Sequence, residues 1–299
     1  MWTPMHQTTI SAIMKLLVII FGLVAAVASE VEFPPIFQDY HEEIGIPAAK
    51  RIKLFEDSLD FDGSRIAGGQ PGRLGSQPHL GGLIIALTDG RQSVCGCSLL
   101  SNTKAVTAAH CWRFGSFQAR KFTAVFGSTR LFSGGHRTDT SNVVSYPKYR
   151  PTVMDYDVAV MTLDFVPFSN YIRAIAVATG TDDFVGVWAS AAGFGSTGNN
   201  HPITQAQSKN EAILPVITNE VCSRSYGVFV LVPFTICGGT THGQSTCPGD
   251  SGGPLAVGTG DDRKLIGIVS FGHISGCENG HPIGFSRVTY FAPWIISQL

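Results

Sequence analysis

STCPGDSGGPL, residues 245–255, sets Ser251 among glycines at 249, 252 and 253. The choice of fold turns on what surrounds it. Gly249-Asp250-Ser251-Gly252-Gly253 satisfies G-x-S-x-G, a pattern that in α/β folds marks a sharp turn from a strand into a helix. That setting needs strands and helices to alternate along the chain. Here they do not. From residue 66 onward the sequence is a series of short apolar runs bounded by glycine-rich turns: GGLIIALTDG (81–90), KAVTAAHC (104–111), FTAVFGS (122–128), DVAVMTL (157–163), GVWASAAGFG (186–195) and KLIGIVSFG (264–272). Short strands at close spacing predict an all-β sandwich or barrel. Only VTYFAPWIISQL (288–299) reads as a helix, with Tyr290, Trp294 and Ile295 at helical spacing.

The N-terminus has a different character. From Met14 the chain reads MKLLVIIFGLVAAVASE, with Lys15 as a positive n-region, an apolar core from Leu16 to Val27, and Ala26-Val27-Ala28 as a small-residue cleavage site. This is a secretory signal, with Met14 the expected start. The apolar core is shorter than the roughly 20 residues of a spanning helix. Residues 1–28 are therefore read as a signal peptide, and no membrane anchor is expected. Residues 29–65 form a charged, cysteine-free segment containing DYHEEIGIPAAKRIKLFEDSLDFDGSR (39–65), where Ile46 to Phe55 fits a short amphipathic helix. A net charge of −1 over 299 residues, with 14% charged, leaves no electrostatic footprint for nucleic acid. No N-x-[ST] triplet occurs, so N-glycosylation is not expected.

Seven cysteines cannot all pair. Three of them, Cys95, Cys97 and Cys111, lie close to His110 in SVCGCSLLSNTKAVTAAHC (93–111). By ligand type these four could hold zinc. Secretion argues for disulfides instead, and a zinc site would consume a histidine that the chemistry needs. A serine hydroxyl is a poor nucleophile until a base takes its proton. Histidine suits that task near neutrality, and a buried carboxylate fixes its tautomer and stabilises the imidazolium. His110 in TAAHC, Asp157 at the head of DVAVMTL and Ser251 in GDSGG occur in the order His, Asp, Ser.

On these motifs the chain resembles the chymotrypsin-like (trypsin-fold) serine endopeptidases, and is most similar to digestive chymotrypsin- and collagenase-like enzymes of arthropods. The likeness covers residues 66–299. It implies two packed antiparallel β-barrels, divided near 175–180, followed by the C-terminal helix. It assigns His110, Asp157 and Ser251 to catalysis and the backbone N–H groups of Gly249 and Ser251 to an oxyanion hole. Asp157 is preferred to Asp155 because the family's aspartate directly precedes an apolar strand. The resemblance makes residues 29–65 an activation propeptide, cut by a trypsin-like protease at Arg65–Ile66. Ile66 would then turn inward and pair its ammonium with Asp250.

The same likeness places Ser245 at the floor of the primary pocket, Ser270, Phe271 and Gly272 along its wall, and Ile283 in its interior. Without an aspartate at 245, large apolar residues are the expected preference, with elastase-like selection of small ones as the alternative. The implied disulfides are Cys95–Cys111, Cys222–Cys237 and Cys247–Cys277, leaving Cys97 as a free thiol. FGSTRLFSGGHRTD (126–139) lacks the carboxylate pair that binds calcium in some relatives. No metal or cofactor is expected. The other expectations are protein or peptide substrates, protein protease inhibitors as candidate partners, a monomer, and an extracellular location, the digestive lumen included. A non-catalytic binding homologue of the same fold is the rival reading. His79, His136, His201, His242, His273 and His281 are expected on the surface.

Overall fold

The computed structural model describes Ile36 and residues 39–58, 74–196, 198, 210–240 and 245–299. The signal sequence, the Arg65–Ile66 bond, His201 and His242 lie outside the described residues. All the described residues belong to one unit, Pro35–Leu299.

The first sheet has eight strands among the described residues: β1 (Leu80–Leu87), β2 (Gln92–Leu99), β3 (Lys104–Thr107), β4 (Arg113–Phe114), β5 (Phe117–Phe126), β6 (His136–Thr140), β7 (Val143–Ser145) and β8 (Ala159–Thr162). Their order is β4-β5-β1-β2-β3-β8-β7, with β6 on β5. Strands β6 and β7 are nearly continuous in sequence, so the short bend between them carries the chain from one end of the sheet to the other. There the Thr140 hydroxyl donates to Thr162 O at 2.6 Å and Thr162 N donates to Asn142 O at 2.9 Å. This closes the sheet into a barrel and hides its edges.

The second sheet comprises β9 (Ala176–Val177), β10 (Trp188–Gly193), β11 (Asn210–Ile217), β12 (Thr235–Gly238), β13 (Pro254–Val257), β14 (Lys264–Phe271) and β15 (Ile283–Arg287). Strands β13-β10-β11-β12-β15-β14 form a ring closed by the β13–β14 pairing, and β9 adds to β14 in parallel. The fold is thus all-β with two barrels, as the sequence predicts. Inward side chains such as Leu83, Ile85, Leu99, Phe122 and Phe126 in the first barrel, and Leu214, Leu255, Ile268 and Phe285 in the second, are fully buried.

Three α-helices accompany the sheets among the described residues. Helix α1 (Ile46–Ser58) follows a π-turn at His41–Gly45. Helix α2 (Asn219–Tyr226) was not expected; the Thr218 hydroxyl caps it by accepting from Val221 N at 3.2 Å, and Cys222 and Tyr226, four apart, face the core. Helix α3 (Val288–Ser297) is the expected C-terminal helix, but its buried face is Val288, Phe291, Ala292 and Ile295. Tyr290 and Trp294 lie on its other side, partly exposed.

Candidate active site

His110 sits in a single 3-10 turn, Ala109–Cys111, directly after β3. A disulfide from Cys111 to Cys95 on β2 ties this turn to the sheet. The pairs Cys222–Cys237 and Cys247–Cys277 are also joined, and Cys97 is a buried free thiol. With both sulfurs of the Cys95, His110 and Cys111 cluster in a disulfide, neither can serve as a thiolate ligand.

Asp157 precedes β8 and is 1% exposed. Its Oδ2 accepts from His110 Nδ1 at 2.7 Å and from the Ser270 hydroxyl at 2.6 Å, while its Oδ1 accepts from His110 N at 2.8 Å. A carboxylate only accepts, so Nδ1 carries a proton, which in a neutral ring leaves the lone pair on Nε2. The Ser286 hydroxyl donates to the backbone Asp157 O at 2.7 Å, so strands of the second barrel hold both the carboxylate and the main chain of Asp157. Asp155 points away and pairs with Arg150.

Ser251 lies on the loop before β13, and its carbonyl accepts from Gly96 N at 2.6 Å. This bond joins the two barrels and needs close backbone approach: a Cβ on Gly96 would stand 2.9 Å from Gly253 Cα. Gly249 has φ +105, a conformation that a side chain would strain. Asp250 is buried among these turns, where Gly195 N and Cys247 N donate to it, each at 2.8 Å. Burial raises its pKa to about 6, and among the described residues it has no ion-pair partner.

One expected link is missing. His110 Nε2 is buried without a hydrogen-bond partner among the described residues. The N-terminal segment occupies the space beside it. The Tyr40 ring packs 4.5 Å from the His110 ring, its hydroxyl donates to Val94 O at 2.7 Å, and it also lies beside the Ser251 side chain. His41 Nδ1 is 2.9 Å from the Ser93 hydroxyl.

Ile44 lines a pocket together with Thr246, Pro248, Ser251, Phe271, Gly272 and Ile283. Of the residues expected there, Ser270 instead bonds Asp157, and Ser245 donates to Thr246 O at 3.1 Å without lining this cavity. His273 also lines it and stacks on His281 at 3.6 Å. His273 thus stands at the pocket with His281 stacked on it, where scattered surface residues were expected. His79 is buried as well. Tyr40, His41 and Ile44 fall in the charged segment expected to be an activation propeptide, and no local pattern in the sequence marks them as neighbours of His110 and the pocket.

The trypsin family model matches residues 66–295. A collagenase of Hypoderma lineatum is 35% identical over 234 residues, which covers 77% of this chain and 86% of the collagenase. Serine protease 1 of Drosophila melanogaster is 31% identical over 234 residues, covering 77% of this chain and 84% of that protein. A solved HL collagenase structure aligns with a TM-score of 0.69 at 33% identity, covering 78% of this chain and 98% of that one. With the two barrels and the histidine–carboxylate pair between them, these likenesses show that the chain belongs to the trypsin family and is a serine protease.

Proposed function

We propose that this chain is a secreted zymogen that becomes an endopeptidase through His110, Asp157 and Ser251. The observation that carries this reading is the Asp157 carboxylate, which holds His110 at both Nδ1 and the backbone N and is itself held by Ser270. In the proposed reaction Ser251 Oγ attacks the substrate carbonyl and its proton passes to His110 Nε2. The oxyanion is met by the N–H groups of Gly249 and Ser251. The C–N bond then breaks, the amine leaves with the proton from His110, and the Ser251 ester is hydrolysed by water activated in the same way.

Activation is assigned to a cut at Arg65–Ile66 by a trypsin-like protease. The buried Asp250, which has no cation beside it among the described residues, supports this, since a new Ile66 ammonium would supply the missing charge. The pocket favours apolar side chains before the scissile bond, because Phe271 and Ile283 line it and among the described residues no carboxylate does. The second reading, a preference for smaller aliphatics, is supported by the seating of Ile44 beside Ile283. The relatives named collagenase make collagen one protein to include among candidate substrates; a digestive role is part of the same proposal.

Trypsin treatment is expected to release a chain beginning at Ile66 that hydrolyses peptides after Phe, Tyr, Leu or Met. Arg65→Gln should prevent this. Ser251→Ala should leave the cut and the fold intact while lowering kcat by several orders of magnitude, on the order of 10⁴ or more. N-terminal sequencing of active material and peptide-library profiling check the assignment. An active chain with an uncut Arg65–Ile66 bond, or a Ser251→Ala variant at full activity, would refute it.

A further inference from the structure

We propose that the released prosegment remains a ligand of the mature enzyme, with residues Tyr40–Ser58 docking as a helical plug in the substrate cleft. This rests on the zymogen reading above. The contacts run along the described residues of the segment. Ile36 makes an antiparallel bridge with His273, just beyond Phe271 and Gly272 of the pocket lining. Tyr40 covers His110 and Ile44 enters the pocket. Ala48, Ala49 and Ile52 of α1 pack against Leu80, Ile84, Val94, Leu131 and Phe194 in one buried cluster.

Alanines at 48 and 49 allow the helix to lie close to that surface. Gly45 does the same: a Cβ there would come 2.0 Å from Ser93 Oγ and 3.0 Å from the Tyr40 ring. The far end is anchored by Glu56. Its carboxylate accepts from Leu131 N at 2.6 Å, Phe132 N at 2.9 Å and the Ser133 hydroxyl at 3.0 Å. The 131–133 turn is thus a carboxylate-binding nest, and the apolar strip leading to it is the rest of the docking surface.

The plug has the wrong shape for a substrate. Peptides are cleaved as extended strands that pair with the cleft edge. The His41–Gly45 stretch is helical, so its amides bond internally and no scissile bond is presented to Ser251. The segment blocks without being cut.

The linkage to residue 66 matters as much as the contacts. While joined, the plug has an effective concentration in the millimolar range. The cut removes that advantage, and the freed peptide must also order a helix that is marginal on its own. Activity should therefore appear in two steps, cleavage followed by dissociation on dilution.

The test is a synthetic peptide of residues 36–58 added to enzyme purified after the cut. Hydrolysis of a small chromogenic substrate should be inhibited by an increase in KM at unchanged kcat, with the peptide intact by mass spectrometry. Glu56→Gln should weaken inhibition about tenfold. Gly45→Ala should weaken it as well, although alanine improves a free helix. Ile44→Asp should abolish it. Calorimetric titration into cut Ser251→Ala protein reads binding without activity, so an inactive enzyme would refute the proposed function and leave this measurement standing. No heat of binding at hundreds of micromolar peptide, or cleavage of the peptide between residues 40 and 45, would overturn the proposal.

Discussion

Asp250 is a carboxylate surrounded by protein, 6% exposed, with two backbone donors and no cation among the described residues. Burial raises its pKa from 3.8 to about 6. The native uncut chain therefore holds more protons than the unfolded chain between those values, and its stability falls as pH rises through the window. At neutral pH the penalty is roughly 3 kcal/mol, at 1.36 kcal/mol per pKa unit. Asp250→Asn in the uncut protein should accordingly gain stability relative to the parent between pH 4 and pH 7.5. After the cut the order should reverse, because the ammonium then needs the carboxylate. Thermal unfolding of both proteins at the two pH values checks this, and a pH-independent difference in the uncut pair would contradict it. Cys97 is a buried ionisable group without a part in the proposed chemistry. Burial pushes its thiol pKa up, so it is a weak nucleophile. It pairs in register with Gly81, where a Cβ would come 2.7 Å from Sγ, so the sulfur fills the space that the glycine leaves. Cys97→Ala should keep full kcat/KM and lose about 1 kcal/mol in a denaturant titration. Alkylation of Cys97 should require unfolding.

Strands were the legible elements. The runs at 81–90, 104–111, 157–163 and 264–272 each hold a strand, because short apolar stretches between turn residues have few other ways to bury both faces. Helices were harder to read. Helix α2 has its cap at Thr218 and its buried pair at Cys222 and Tyr226, a signal present in the sequence but spread over only eight residues of mixed charge. In α3 the spacing marked Tyr290, Trp294 and Ile295; Ile295 is buried and Trp294 packs partly against the core, but the rest of the buried face is Val288, Phe291 and Ala292. Almost every position of that helix is apolar, so periodicity did not single out a side. Helix α1 was expected over Ile46–Phe55 and runs to Ser58. Its apolar stripe was readable, but a stripe says that a face will be buried and not against what. The spacing of His110, Asp157 and Ser251 likewise gave the order of the residues, while the contacts of Ser270 and Ser286 with Asp157 come from strands far along the chain and leave no local pattern.

At the scale of the molecule, the N-terminal segment meets the first barrel at His41, and this gives the docked segment a pH dependence. Burial lowers the His41 pKa from 6.5 to about 3, with the nearby His110 adding to the effect. The ring faces Ser93 through Nδ1, packs by Tyr40 and Phe117, lies beside the His110 backbone, and feels Asp89 only weakly. In the free peptide His41 returns to its ordinary range near 6.5. The docked form thus holds fewer protons than the free form between about 3 and 6.5, and acid favours release. Docking should be at full strength above pH 7 and weaken progressively below 6.5, by up to tenfold per pH unit from this group alone. Binding of the 36–58 peptide to cut Ser251→Ala protein, followed by calorimetry at pH 7.5 and pH 5.5, should show a Kd larger by about tenfold at the lower pH. A His41→Gln peptide removes the titrating ring and should bind with a Kd that changes little over the same interval. A parent peptide whose Kd is flat from pH 7.5 to 5.5 would show that His41 is not buried neutral in the docked state. A His41→Gln peptide with the same slope as the parent would assign the pH dependence to the enzyme side of the cleft.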